Sequence, residues 1–236
     1  IEYSFTKDLL PESFEDCIQT NTKLIYIETP SNPLLKLVDI FAVAKLAKSH
    51  EIITAADNTF ASPIVQNPLD LGIDIVMHSA TKYFGGHSDI SAGAVASSQE
   101  IMDKIWNLSK DFGGNLSDYT VWLLERSMKT LGIRVKAQQR NAKRLAKFLH
   151  KHSAVKLVHY PGLKSNEYHS LAKIQMKGFG AMMSFELTEE YNAEVFLKAL
   201  ELIKPSMSLA GVESTMLLPC KTSHALLSDS DRLSQG

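Results

Sequence analysis

The 236 residues of this chain carry a formal net charge of −1, and 44% of them are hydrophobic, which is enough to bury a sizeable core. The mixing of both charge signs argues against a nucleic-acid or membrane-surface role. No apolar run approaches the ~20 residues of a membrane-spanning helix. The two cysteines, Cys17 and Cys220, form no metal or redox motif, and a reducing cytoplasm is the expected location.

The first 97 residues alternate between strand and helix patterns. In chain order the sequence predicts a helix over 11–22, a strand over 24–27, a helix from an Asp39 cap to about residue 50, and strands over 51–56, 73–77 and 91–96. This alternation predicts an α/β fold with a mostly parallel sheet covered by helices on both faces.

The remaining chain predicts helices over 100–110, from Asp118, over 134–151 and over 191–204, with strands over 155–160, 181–187 and 205–209. We expect a boundary near 126–134. Residues 1–130 would then belong to a large domain, and 131–236 to a smaller α/β domain with a mainly antiparallel sheet. Polar residues of the helices around this boundary are expected to face solvent: Arg126, Lys129, Arg134, Gln138, Arg140, Arg144 and Lys147.

Lys82 lies just past a predicted buried strand, in the segment Ser-Ala-Thr-Lys-Tyr-Phe-Gly-Gly-His at 79–87. Ligands of open parallel sheets bind outside the carboxyl ends of strands. Two interpretations remain open for this lysine: an ordinary surface residue on a loop, or an amine that condenses with an aldehyde cofactor. Ser79 and Thr81 could donate hydrogen bonds to a phosphate, which favours the second interpretation.

Asp57 follows the predicted strand over 51–56, and it also lies at the carboxyl end of its strand. A crossover connection would bring the ends of both strands to the same edge of the sheet. Pyridoxal phosphate (PLP) needs such a pair, a lysine for its aldehyde and a carboxylate for its pyridinium nitrogen. Taken alone, Asp57 could equally be a cap or turn residue.

Short segments occur in one order along the chain: Ile-Glu-Thr-Pro-Ser-Asn-Pro at 27–33, Asp-Asn-Thr-Phe at 57–60, Pro-Leu-Asp-Leu-Gly at 68–72, Ser-Ala-Thr-Lys-Tyr at 79–83, Tyr-Pro-Gly-Leu at 160–163, Gly-Phe-Gly at 178–180 and Ser-Leu-Ala-Gly at 208–211. Together they resemble the Cys/Met-metabolism (trans-sulfuration) family of PLP-dependent enzymes. That family includes cystathionine γ-synthase, cystathionine γ-lyase, methionine γ-lyase and the O-acylhomoserine sulfhydrylases. Several motifs in one order make a chance similarity very improbable.

The resemblance implies the aspartate aminotransferase-like fold (fold type I) of PLP-dependent transferases, with PLP as the cofactor. It implies that Lys82 holds the cofactor covalently and serves as the catalytic base, and that Asp57 pairs with the pyridine nitrogen. Ser79 and Thr81 would bind the phosphate, and Thr59 would belong to the same cofactor-binding set. No metal site is implied.

For the substrate, the resemblance implies that Asn32 lies beside the cofactor's phenolic oxygen and the substrate carboxylate, and that Ser208 lies near that carboxylate. The implied reaction is γ-elimination or γ-replacement on sulfur-containing or O-acylated homoserine-type amino acids, as in cystathionine γ-synthase or γ-lyase. Methionine γ-lyase or O-acylhomoserine sulfhydrylase activity is the alternative. Met207 offers no acidic group to a distal ammonium, which slightly disfavours a dedicated cystathionine-cleaving enzyme.

The chain begins with Ile1, and the resemblance implies flanking segments that carry a phosphate loop, a cofactor-stacking tyrosine and a substrate-binding arginine. We therefore expect the chain to be part of a longer protein, called the full-length protein below, which forms a homo-oligomer arranged as a dimer of dimers. Two other interpretations stay open: a PLP-binding protein without turnover, and an α/β binding domain in which Lys82 is incidental.

Overall fold

The computed structural model describes residues 1–228, 230 and 232, and its first part is built on a four-stranded sheet. The strands are β1 (Leu24–Glu28), β2 (Ile53–Asp57), β3 (Ile75–Ser79) and β4 (Gly93–Ser97), in the order β1-β2-β3-β4. The first three run parallel to one another, and β4 runs antiparallel to β3. The predicted mixed α/β fold with a mostly parallel sheet is confirmed.

Helices of the first part are α1 (Pro11–Glu15), α2 (Ile40–Ser49), α3 (Ser62–Val65), α4 (Gln99–Phe112), α5 (Asp118–Met128) and α6 (Leu131–Leu149). The predicted N-cap of α2 is confirmed, because the Asp39 carboxylate accepts a hydrogen bond from the Ala42 N–H at 3.0 Å. Among the described residues, none of these helices has the length and apolar character needed to cross a membrane.

One face of the sheet packs against α2. Strand residues of that face, such as Ile27 and Val76, are buried in a cluster with Val43 and Ala47 of the helix. Side chains alternate along a strand, so their neighbours point to the other face. That second face carries apolar side chains that are between 37% and 51% exposed: Leu24, Tyr26, Ile53, Met77 and Val95.

The second part of the chain contains two small sheets. Strands β5 (Val155–His159) and β6 (Ser184–Leu187) pair antiparallel, and the two-residue strands β7 (Lys204–Pro205) and β8 (Thr215–Met216) pair parallel. This part also contains the helices α7 (His169–Gln175) and α8 (Ala193–Lys198) and a short 3-10 helix at Pro219–Lys221. The predicted division at residue 130 falls between α5 and α6, and as a domain boundary it stays a prediction.

Several predicted element lengths are wrong. The helix predicted over 11–22 ends at Glu15, because the Thr22 hydroxyl accepts from the Gln19 N–H at 2.8 Å and forms a local turn instead. The helix predicted over 191–204 is limited to α8, which begins where Asn192 accepts from the N–H groups of Glu194 and Val195. The strand predicted over 205–209 shrinks to β7, and α7 was not predicted.

A second buried cluster contains residues from both parts of the chain. Tyr83 and Phe84, just after Lys82, pack with Leu131 and Val135 of α6. The same cluster includes Ala172 of α7, and Ala210 packs against it. The lysine motif is thus embedded among elements that are distant in the sequence.

Candidate active site

The carboxyl ends of β1, β2 and β3 meet at one edge of the sheet, called the strand-end rim below. In the parallel register, Glu28 pairs with Asp57, and Asp57 pairs with Met77. The loops that follow these strands carry Asn32, the segment 57–59 and the lysine motif. The structure therefore places the predicted site residues of the first part on one rim, as the alternation of strands and helices indicated.

Asp57 and Thr59 connect two of these loops. The Thr59 N–H donates to Asp57 Oδ1 at 2.8 Å, and Thr59 Oγ1 accepts from the Ser79 N–H at 2.7 Å. Asp57 Oδ2 has no hydrogen-bond partner in the part of the chain that the structure describes. One carboxylate oxygen therefore fixes the loop, while the other can still accept a hydrogen bond.

The charge of Asp57 influences several titratable neighbours. Desolvation, reinforced by the Asp57 carboxylate, raises the pKa of Glu28, although the hydrogen bond from the Asn32 N–H opposes this shift. Desolvation, reinforced by the carboxylates of Asp57 and Glu28, raises the pKa of Tyr26. Desolvation lowers the pKa of His78 to about 4 against the opposing effect of Asp57. His78 is therefore neutral near neutral pH, and its ring lies against Phe84 with centroids 4.8 Å apart.

Lys82 lies in a tight turn whose backbone is held locally. The Lys82 N–H donates to the Ser79 carbonyl at 3.0 Å, and the Gly86 N–H donates to the Lys82 carbonyl at 2.7 Å. The side chain is partly buried. Across residues 1–228, 230 and 232, its ammonium group has no hydrogen-bond or ion-pair partner. An amine held on an ordered backbone without a competing partner is suited to react with a carbonyl carbon.

Two hydroxyls of the lysine motif differ in their availability. Thr81 Oγ1 accepts from the Ala92 N–H at 2.9 Å and donates to the Ala92 carbonyl at 3.3 Å, so it anchors the segment that leads into β4. Thr81 would have to give up the longer contact to donate to a phosphate. The Ser79 hydroxyl has no such partner in the described residues, which makes it the freer donor of the two.

The loop that carries Asn32 is held at several points. The Asn32 N–H donates to Glu28 Oε1 at 3.1 Å, and Ser184 of β6 donates to the Pro33 carbonyl at 2.8 Å. The Asn32 side chain is exposed. No hydrogen bond joins it to Asp57 or Lys82 within the described residues, so the structure brings Asn32 to the same rim without direct contact.

A buried amide network supports this loop, and the sequence analysis missed it. Gln66 Nε2 donates to the Thr29 carbonyl at 2.9 Å and to Asn58 Oδ1 at 3.0 Å. Gln175 Nε2, from α7, donates to Gln66 Oε1 at 3.2 Å and to the Val38 carbonyl at 3.1 Å. The network therefore joins the Asn32 loop, the residue after Asp57 and the second part of the chain.

Arg134 corrects the expectation of a solvent-facing helix surface. It is 9% exposed, and its Nη1 donates to the Tyr83 carbonyl at 2.8 Å. Nη2 donates to the carbonyls of Ser127 at 3.0 Å and Phe84 at 3.3 Å, and Nε donates to Thr130 Oγ1 at 3.0 Å. This guanidinium group thus donates its hydrogen bonds to the carbonyls of the two residues after Lys82 and to the turn between α5 and α6.

Gln138 was likewise expected to face solvent, and it instead holds the Ser208 loop. Its Nε2 donates to the Gly211 carbonyl at 2.8 Å and to the Ala210 carbonyl at 3.5 Å. A Cβ added at Gly211 would lie 3.0 Å from Ser88 Oγ, so this loop approaches the chain just after the lysine motif. The structure therefore brings Ala210 and Gly211, in the loop that carries the predicted residue Ser208, to the vicinity of residues 83–88.

The chemistry of these groups fits PLP. An unpaired amine, a carboxylate with one free oxygen and a free hydroxyl lie on one rim, and they match the aldehyde, the ring nitrogen and the phosphate of that cofactor. In the described part of the chain, no group of three or more His, Cys, Asp or Glu residues could hold a metal ion.

Comparisons with known proteins agree with this chemistry. The family model described as Cys/Met metabolism PLP-dependent enzyme matches residues 1–236. Cystathionine gamma-lyase of Bacillus subtilis (strain 168) is 44% identical over 237 residues, covering 100% of this chain and 62% of the relative. Cystathionine beta-lyase of Lactococcus lactis subsp. cremoris (strain MG1363) is 46% identical over 215 residues, covering 91% of this chain and 57% of the relative.

A solved structure gives the same result. Cystathionine gamma-lyase from Lactobacillus plantarum, complexed with L-serine, superposes with a TM-score of 0.95 at 44% identity and covers 100% of this chain and 61% of that chain. The chain therefore spans less than two thirds of the length of the relatives it matches.

Proposed function

The chain belongs to the Cys/Met-metabolism family of PLP-dependent enzymes, and we propose that the full-length protein is a trans-sulfuration enzyme of the cystathionine γ-synthase or γ-lyase type. It would catalyse γ-elimination or γ-replacement on sulfur-containing or O-acylated homoserine-type amino acids. The observation that carries this proposal is that the unpartnered Lys82 amine and the free oxygen of Asp57 lie on the same strand-end rim.

We assign each residue a role in holding the cofactor. Lys82 would bind it covalently through the side-chain amine, and Asp57 Oδ2 would accept a hydrogen bond from the protonated ring nitrogen. Ser79 is the first choice as phosphate donor, while Thr81 and Thr59 hold the loops that surround it. Asn32 would lie toward the substrate carboxylate from the neighbouring loop.

The chemistry that PLP supplies when bound is an electron sink for the pair left at the substrate α-carbon. Lys82, once released from the cofactor, would remove the α-proton as a general base and then carry a proton at the β-carbon. Asp57 would keep the ring nitrogen of the bound cofactor protonated. Ser208 would orient the substrate carboxylate, since its loop lies next to the chain that follows Lys82.

Sequence identity and Met207 both bear on substrate choice within the family. The γ-lyase and β-lyase relatives are 44% and 46% identical to this chain, so identity does not separate the two reactions. Met207, next to Ser208, is 62% exposed and has no charge to meet a distal ammonium group. Methionine γ-lyase or O-acylhomoserine sulfhydrylase activity is therefore the alternative within the same chemistry.

We also propose that the full-length protein acts in the cytoplasm as a homo-oligomer, arranged as a dimer of dimers, on a small amino-acid substrate. Family membership and the absence of a redox or metal cysteine motif support this assignment. Sedimentation of the purified protein tests the assembly directly, and a monomer that retains full activity would contradict it.

The test uses the full-length protein and a substrate panel of cystathionine, methionine, and O-acylhomoserine with cysteine or sulfide. Borohydride reduction should fix PLP on the peptide that contains Lys82, and Lys82→Ala should abolish turnover. Lys151→Ala, an exposed lysine in the turn after α6, is the matched control and should keep activity. PLP bound without turnover of any substrate would instead identify a PLP-binding protein that is not an enzyme.

A further inference from the structure

We propose that α6 is the positioning element of the active site, and that Arg134 and Gln138 fix the Lys82 turn relative to the Ser208 loop. Nothing in the sequence distinguishes these side chains from the exposed Arg140 and Arg144 farther along the helix. The inference concerns the spacing of two groups in the site and rests on the proposed function, because it assumes that Lys82 and Ser208 act on one substrate.

Arg134 controls the backbone that follows Lys82. The carbonyls of Tyr83 and Phe84 lie at the end of the tight turn, and both accept from its guanidinium group. Two further bonds, to Ser127 and Thr130, hold the same group in place. Because a guanidinium fork is planar and rigid, this contact transmits the position of the helix to the turn.

Gln138 controls the other loop. It lies one helical turn after Arg134, and residues four apart project from the same side of a helix. Its Nε2 donates to the Gly211 carbonyl, while its buried Oε1 has no partner in the described residues. The side chain therefore serves one connection, and its loss would disturb the Ser208 loop without breaking another hydrogen bond.

The next residue of α6 extends this arrangement. Gln139 Oε1 accepts from the N–H groups of Phe179 at 3.2 Å and Gly180 at 3.3 Å, in the Gly-Phe-Gly motif at 178–180. Three side chains within six residues of one helix therefore hold the lysine motif, the Ser208 loop and the segment 178–180. A single rigid element sets the mutual positions of all three.

This arrangement has a consequence for the reaction. Lys82 would carry the cofactor and the proton, whereas Ser208 would orient the substrate carboxylate. A misplacement of about 1 Å between reacting groups can lower a rate about 100-fold. The spacing set by Arg134 and Gln138 should therefore influence turnover although neither side chain touches the reacting atoms.

The experiment compares Arg134→Lys and Gln138→Met in the full-length protein. Arg134→Lys keeps the charge and removes the fork, and Gln138→Met keeps the size and removes the donor. Arg144→Lys and Gln99→Met are the matched controls, because both residues are exposed. The readouts are the affinity for PLP by titration of the apoprotein, kcat, KM, and amide hydrogen exchange of the apoprotein over 83–86 and 208–213.

We expect different signatures from the two variants. Arg134→Lys should speed exchange over 83–86, weaken PLP binding and lower kcat by about tenfold or more. Gln138→Met should speed exchange over 208–213 and raise KM by about tenfold, while PLP binding stays near that of the unmodified protein. Both controls should leave all four readouts unchanged.

Two outcomes would overturn the inference: unchanged exchange and kinetics in both variants, or equal changes in all readouts, which would indicate general destabilisation. If Arg134→Lys does not fold, the amide exchange over 208–213 and the KM of Gln138→Met still test the positioning role of α6. A failure of the proposed function looks different, because the unmodified protein would then bind no PLP, and only the exchange data would remain to test the positioning role.

Discussion

Gln175 and Gln66 lie 109 positions apart in the chain, yet their side-chain amides form a buried hydrogen bond of 3.2 Å. Gln175 also accepts from the Ile40 N–H at 3.4 Å and donates to the Val38 carbonyl. Gln66 holds the Thr29 carbonyl at the start of the Asn32 loop. This pair is the polar link through which α7 supports the first part of the site.

Gln175→Met should destabilise the protein, because it leaves the Ile40 N–H, the Val38 carbonyl and Gln66 Oε1 buried without partners. Leaving one such group unsatisfied costs about 1–3 kcal/mol, so we expect a loss of at least that size in the free energy of unfolding. Denaturant unfolding measures it. Gln99→Met is the exposed control, and an equal loss in both variants would contradict the role of the network.

Asp57→Asn should slow removal of the substrate α-proton, because a neutral amide cannot keep the ring nitrogen of PLP protonated. Removing one group that stabilises developing charge costs about 10²–10³ in rate, and we expect an effect of that size. Exchange of the α-proton with solvent deuterium, followed by NMR, measures this step directly. Asp70→Asn is the control, and an unchanged exchange rate in Asp57→Asn would refute the assigned role.

Gly86→Ala should be more harmful than Gly113→Ala, although both glycines have left-handed backbone angles, with φ of 71° and 70°. A Cβ at position 86 would overlap the guanidinium group of Arg134, whereas a Cβ at position 113 has nothing within 4 Å. Both variants carry the backbone strain of about 1–2 kcal/mol. Only Gly86→Ala should also lower kcat, as steady-state kinetics of both variants will measure. Equal kcat values in the two variants would show that the contact with Arg134 does not influence turnover.

His78 should make stability depend on pH. Desolvation lowers its pKa in the folded protein from 6.5 to about 4, so the unfolded chain binds more protons between these values. The free energy of unfolding should therefore fall as pH decreases from about 6.5 to about 4, and His78→Gln should flatten this slope. Urea unfolding of the apoprotein at several pH values measures it, with His150→Gln as the exposed control.

The isolated 236-residue chain should self-associate and bind PLP weakly. Its second sheet face exposes apolar side chains, including Tyr26, Ile53 and Met77, and large exposed apolar patches promote association. Light scattering and cofactor stoichiometry, compared with the full-length protein, measure both effects. Ile53→Lys should reduce association of the isolated chain, whereas Leu202→Lys, at an exposed position outside the sheet, should not. Activity of the isolated chain near that of the full-length protein would contradict the prediction.

The sequence by itself determined the strand-end rim. Hydrophobic periodicity predicted β1, β2 and β3 with their intervening helix, and parallel strands joined by crossovers must place their carboxyl ends together. Asp57 and Lys82 therefore had to lie on one rim, and the ordered motifs identified the family. These results depend on local patterns that a single chain displays directly.

Only the tertiary structure decided which polar residues serve that rim. Arg134, Gln138 and Gln175 lie on helices that also carry exposed polar residues, and each of the three reaches backbone carbonyls 50 or more positions away. Every residue has a backbone carbonyl, so a sequence contains no signal for which one a side chain will meet. That choice follows from how the helices pack against the sheet and the loops, and packing is a property of the whole chain.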